Sequence, residues 1–197
     1  MRYGTSSNIE EAIQEAFSSL MEQQPYSAIR VTQIIRAAHI SHQSFYRFYQ
    51  NKAELAVNFF SDQLLSAVVI SGKQATFREI MMNILQIIRN NSAVYAHLLC
   101  DKEGSLIFPE ILTQMSSEWT GFFPAWATTV INSQFLIDWA NDGFQESLEQ
   151  TYAKFVYNLP AYELLSETEL KERIRQYESR RSTDFLPKRH KFVSKKR

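Results

Sequence analysis

Breakers are scarce in this chain: five glycines and five prolines are spread over 197 residues. So few interruptions favour long helices joined by short connections. The apolar spacing agrees. In IEEAIQEAFSSLM, residues 9–21, the positions Ile9, Ala12, Ile13, Ala16, Phe17 and Leu20 recur at the helical period, with acids on the opposite face. Residues 31–38, VTQIIRAA, put Val31, Ile34, Ile35 and Ala38 on one face, with Thr32 placed to cap the start. Ser41 suits the N-cap of a short helix over 42–49. Asn51, with Glu54 three residues on, opens a fourth helix that runs to about residue 70. Further helices are expected near 76–90, 92–101, 106–120, 122–141, 146–165 and 167–181, with joints at Gly72, Gly104, Gly143 and Pro160. Strand alternation, repeats and low-complexity tracts do not occur. The expected fold class is all-α.

An apolar share of 45% with 13% aromatics is ample for a core, and the length suits one domain or a small domain on a larger one. The single cysteine, Cys100, excludes an intramolecular disulfide and reads as a buried, inert side chain. With no leader-like segment and no run of eighteen apolar residues, the expectation is a cytoplasmic protein that does not enter the membrane. The net charge of zero hides a pattern. In residues 1–60, Arg2, Arg30, Arg36, Arg47 and Lys52 balance five acids; the middle is acidic; the end, KRHKFVSKKR, is a basic tail. That balance says little about one face of one domain.

Two short helices joined by a three-residue turn, after a longer helix, form a helix-turn-helix candidate. On a wheel of the third helix, Phe45, Phe48 and Tyr49 face the first two helices. Gln43, Tyr46 and Arg47 point away, and His42 sits at the exposed start. The outward set suits DNA. Gln43 offers an amide for adenine, Arg47 addresses guanine or phosphate, and His42 donates to an acceptor. Tyr46 presents a hydroxyl to phosphate, and Thr32 and Ser44 are short donors for phosphate oxygens. Lys52, at the first position of the fourth helix, opposes the helix dipole unless an anion binds there.

The stretch VTQIIRAAHISHQSFYRFYQNKAEL, residues 31–55, resembles the DNA-binding head of the TetR/AcrR family of bacterial transcriptional regulators. The matches are Val31, Ile34, Ala38, Ile40, Ser41, Ser44, Phe45, Tyr46, Asn51, Lys52 and Leu55, and the likeness extends from about Asn8 to Leu64. Two positions depart from the pattern: His39 stands where the family has a turn glycine, and Tyr49 where it has phenylalanine. The resemblance implies a three-helix head on a larger helical C-terminal domain that dimerises and binds an effector. It implies a third helix in the major groove of a double-stranded operator, with contacts from Thr32, His42, Gln43, Ser44, Tyr46 and Lys52. Arg47 is added from the wheel alone.

The expected division is a head over residues 1–64, a helical domain over 65–185 and the basic tail over 186–197. The segment WATTVINSQFLIDWA and the stripe Leu148, Tyr152, Phe155 and Leu159 suit a homodimer bundle. Aromatics at Trp119, Phe122, Phe123, Trp126, Phe135 and Trp139 fit either a core or the wall of a small-molecule cavity. With sparse polar groups among them, the effector candidates are Asn83, His97, Gln114, Trp126 and Asn132. His97 and Cys100 share a helix, but two ligands are too few for zinc, so no metal is expected. No catalytic triad order, phosphate loop or metal motif stands out, and no cofactor is called for. The expected function is a dimeric regulator, a repressor released by an effector; the rival is a helical small-molecule-binding or partner-responsive protein of the same fold without operator binding.

Overall fold

The computed structural model describes residues 6–71, 75–118 and 126–158. Among these the chain is all-helical: α1 (Ser6–Gln23), a 3-10 turn (Tyr26–Ala28), α2 (Val31–Ala37), α3 (His42–Phe48), α4 (Lys52–Ser71), α5 (Phe77–Asn90), α6 (Ser92–Leu99), α7 (Lys102–Glu118), α8 (Trp126–Asn141) and α9 (Leu148–Asn158). The expected helix at 167–181, the aromatics Trp119, Phe122 and Phe123, the residue Leu159 and the basic tail lie outside the described residues.

The helix starts have local causes. The Ser41 hydroxyl accepts the Ser44 N–H at 3.0 Å, as a cap of α3 should. Asn51 Oδ1 accepts the Glu54 N–H at 2.9 Å, while Glu54 reaches back to the Gln50 N–H, at 2.6 Å. Thr76 and Glu79 close a reciprocal capping box on α5. Thr32 does not cap α2. Arg30 holds the cap position, and its N–H donates to the Gln33 side chain at 2.8 Å, so Thr32 falls one residue inside the helix.

Helix α2 ends in a Schellman turn: the Ile40 N–H reaches the Ile35 carbonyl and the His39 N–H reaches that of Arg36, each at 3.2 Å. His39 occupies the left-handed position of this turn, at φ 53°. The substitution of the family's glycine has thus left the turn intact. A similar turn ends α8, where Gly143 and Phe144 both have positive φ. Phe144 is held there by burial and by edge contact with Trp139, at 5.0 Å between ring centroids.

Helix α4 is the axis of the fold and packs on α5 and α7. By length and composition it is apolar enough to cross a membrane. Here Leu55, Ala56, Val57, Phe60, Leu64 and Ala67 are instead buried inside the protein. Its buried Ser61 is satisfied by donating to the Ile111 carbonyl at 3.1 Å. Aromatic contacts run from the head into the body: Phe17 of α1 meets Phe59 and Phe60 of α4, and Phe60 meets Tyr95 of α6 at 5.3 Å. Head and body therefore share one apolar core.

Two expectations fail in the body. Gly104 is not a joint between helices. It lies in the first turn of α7, which begins at residue 102, because Asp101 caps it by accepting the N–H groups of Glu103 and Gly104. Cys100 is exposed rather than buried. It stands just past the last turn of α6, where Leu98 and Leu99 already take the core positions, and partial burial still pushes its thiol pKa up.

Candidate nucleic-acid interface

The recognition candidate is α3. Phe45 is fully buried and Tyr49 nearly so, anchoring the helix against α1 and α2. The Tyr49 hydroxyl accepts from Gln14 Nε2 at 3.2 Å and lies 3.5 Å from Glu10 Oε1. Burial, and less so Glu10, raises its pKa far above an ordinary phenol, so it stays neutral. This accommodates tyrosine in place of phenylalanine: the extra polar atom finds partners on α1. It also gives Glu10 a structural contact rather than a purely solvated one.

With the anchors inward, His42, Gln43, Tyr46 and Arg47 are exposed along one side of α3, and Ser44 is half-buried. Tyr46 is 55% exposed, a large aromatic surface to leave in water, and its ring meets Phe45 edge-on. The Arg47 guanidinium lies 4.9 Å from the centre of the Phe48 ring, which restricts its reach. The Ser44 hydroxyl is 2.9 Å from that of Ser41, so it is partly committed to the cap. Thr32 is exposed at the start of α2.

Lys52 is placed differently from the other candidates. It begins α4, yet its side chain is only 17% exposed. Its amine donates to the Tyr26 carbonyl at 2.8 Å, lies 4.0 Å from the centre of the Tyr26 ring, and stands 3.7 Å from Glu103 Oε2 of α7. Burial lowers the amine's pKa, against the opposing pull of Glu103 and Asp101. Nearby, Ser27 donates to Asp101 Oδ2 at 2.5 Å. Burial disfavours the Asp101 carboxylate, but bonds from Ser27 and from the Gly104 and Glu103 backbones outweigh this and hold it below the usual range. The 3-10 turn of the head is thereby gripped by the start of α7.

The phenol of Tyr26 in this cluster is pushed up to about 12 by burial first, then by Glu103, Asp101 and Glu110. The folded state thus keeps a proton that the unfolded chain releases near its ordinary value of 10.0. Its stabilising contribution is complete below that value and is lost as pH rises from about 10 towards about 12. Thermal unfolding scans across that window should fall less steeply for Tyr26→Phe than for the wild type. Parallel curves would show that Tyr26 titrates as in the unfolded chain.

The effector candidates are not drawn to one point by their hydrogen bonds. Asn83 donates to the Ser71 hydroxyl at the end of α4, at 2.8 Å. Gln114 donates to Asn58 Oδ1 at 2.7 Å, joining α7 to α4. His97 meets the Met21 carbonyl of α1 at 2.7 Å; since a carbonyl only accepts, Nδ1 must carry the proton. His97 thus ties the body to the head. Trp126 and Asn132 lie on α8, but their side chains are outside those described. Of the aromatics, Trp139 is buried against Phe144, and Phe135 packs on Phe155. Helix α9 turns Thr151 and Phe155 inward, with Tyr152 half-buried, and packs on α5 and α8, so part of its stripe is covered within the chain. Tyr26, Ser27 and Glu103 carried no local sequence signal, and Asp101, a local cap, carried none for its contact with the head.

These elements define a helix-turn-helix head on an all-helical body. Residues 13–58 match the family model described as bacterial regulatory proteins, tetR family. Over that span the head therefore has the sequence pattern of the tetR family of bacterial regulatory proteins. No curated protein matches the chain. Among solved structures, a TetR transcriptional regulator from Streptococcus agalactiae 2603V is similar at 21% identity, covering 77% of this chain and 93% of that one, with a TM-score of 0.55. At that identity the likeness concerns the fold alone. A dihydroxyacetone kinase operon activator matches at 18% identity, over 76% and 92% of the two chains, with a TM-score of 0.49. A transcriptional regulator from Rhodococcus sp. RHA1 matches at 16%, over 81% and 96%, with a TM-score of 0.46.

Proposed function

We propose that this chain is a homodimeric, cytoplasmic, sequence-specific DNA-binding regulator, a non-enzymatic repressor released by a small-molecule effector. The observation that carries the reading is α3 itself. Phe45 and Tyr49 are buried beneath it, while His42, Gln43, Tyr46 and Arg47 are exposed together on its outer side. In this reading the head is residues 1–64, the effector and dimer domain 65–185, and the basic tail 186–197 adds only salt-sensitive attraction. Thr32 and Ser44 serve phosphates, Gln43 a base edge, and Lys52 a phosphate at the start of α4.

Two heads in a dimer would read the halves of a near-palindromic site, and an effector preferring one body conformation would change their spacing. Anisotropy titration against DNA upstream of the chain's own gene, compared with scrambled duplex, tests this, with light scattering to show two chains in the complex. Gln43→Ala should relax preference at one base pair per half-site and cost about 1–3 kcal/mol there, leaving binding to scrambled DNA unchanged. Equal affinity of the wild type for operator and scrambled DNA would overturn the reading.

A further inference from the structure

A lysine that serves DNA phosphates needs its ammonium free, and Lys52 does not have it free. The ammonium has three N–H groups. It meets one carbonyl, one aromatic face and one carboxylate, all within 4.0 Å. Tyr26 supplies the first two from the head. Glu103 supplies the third from the body. A phosphate approaching the start of α4 would therefore meet an engaged cation with the Glu103 carboxylate beside it, and Asp101 close enough to act on that amine.

We propose that Glu103 is an internal competitor for DNA: its carboxylate occupies the amine of Lys52 when no DNA is bound, and a backbone phosphate must displace it. This rests on the reading of the head as a DNA-binding element. The strengths are suited to exchange. Glu103 is 63% exposed, so its pairing is screened and weak, and a phosphate can displace it. The Tyr26 contacts are independent of Glu103 and keep Lys52 at the start of α4 after the swap.

The arrangement also gives the body a direct effect on the head. Glu103 sits in the first turn of α7, and the neighbouring Asp101 both caps that helix and accepts from Ser27. A shift of this turn towards the head strengthens the competition; a shift away releases Lys52.

The test uses the full chain and fluorescent duplex DNA of random sequence, titrated at several salt concentrations. Glu103→Gln keeps the size of the side chain and, at an exposed position, should leave the circular dichroism melt unchanged. It should tighten binding about two- to fivefold for each head, the range set by loss of one exposed ion pair. The same substitution in a Lys52→Gln background should give less than half of that gain. A full gain in that background would show general charge repulsion and overturn the competition. Unchanged affinity of Glu103→Gln, with a wild type that binds DNA, would overturn it as well and leave the proposed function standing. Binding that appears only in Glu103→Gln would support the competition; no binding by either form would overturn both readings.

Discussion

Phe45→Ala should cost about 3–5 kcal/mol of folding stability, the range for deleting a large, fully buried aromatic. Phe45 is completely buried, its ring meets Tyr46 and Tyr49, and it is the central anchor of a helix only seven residues long. So short a helix has little stability of its own and depends on tertiary packing. A loss of that size consumes much of the stability of an ordinary domain, about 5–15 kcal/mol. Because head and body share one apolar core, the urea transition should shift as a whole rather than split. Tyr46→Ala is the natural control. That residue is exposed, and its removal should stay within about 0.5 kcal/mol while weakening DNA binding. A Phe45→Ala midpoint close to that of the control would mean that α3 is not anchored as described.

Gly104→Ala pits two effects of opposite sign against each other. Helix propensity alone would favour alanine by about 1 kcal/mol. The space does not permit it: a Cβ at residue 104 would stand 2.2 Å from the Leu98 carbonyl oxygen and close to the Leu98 carbonyl carbon and Cα. All three are backbone atoms at the end of α6, so no side chain can swing aside. Overpacking of this kind costs about 1–3 kcal/mol, which exceeds the propensity gain over most of its range. The expected result is a lower melting temperature, and a weaker grip on the 3-10 turn as α6 and α7 are pushed apart. A higher melting temperature for Gly104→Ala would show that the two backbones are not so close.

What the sequence disclosed and what it concealed follow from the range of the interactions. Ser41 and Asn51 were legible as caps because each bonds to an N–H three residues away. The division of α3 into buried Phe45 and exposed Gln43, Tyr46 and Arg47 was legible because helical period fixes it. Thr32 misled because the rival cap works backwards: Arg30 precedes it, held by the side chain of Gln33. The start of α7 was hidden because Gly104 resembles a breaker, whereas Asp101 satisfies the first turn and the glycine is there for a close approach. Lys52 and His97 were the least legible. Their partners, Tyr26 and Met21, are 26 and 76 residues away along the chain, and no local pattern announces such contacts.

Pro109 inside α7 has a dynamic consequence. Lacking an N–H, it leaves the Ser105 carbonyl without its usual helical partner, so the hydrogen-bond ladder is interrupted near the middle of the helix. The part after the gap is fastened by buried Ile111 and Met115 and by the bond from Ser61 to the Ile111 carbonyl. The part before it carries the exposed Leu106 and holds the core chiefly through Phe108. Such a break separates the helix into two cooperative units with different opening free energies. In deuterium exchange, amides of the leading unit should therefore exchange faster than those of the trailing one, on a timescale set by local rather than global opening. The first turn of α7, one of several places where the body touches the head, then belongs to the part of that helix expected to open more readily.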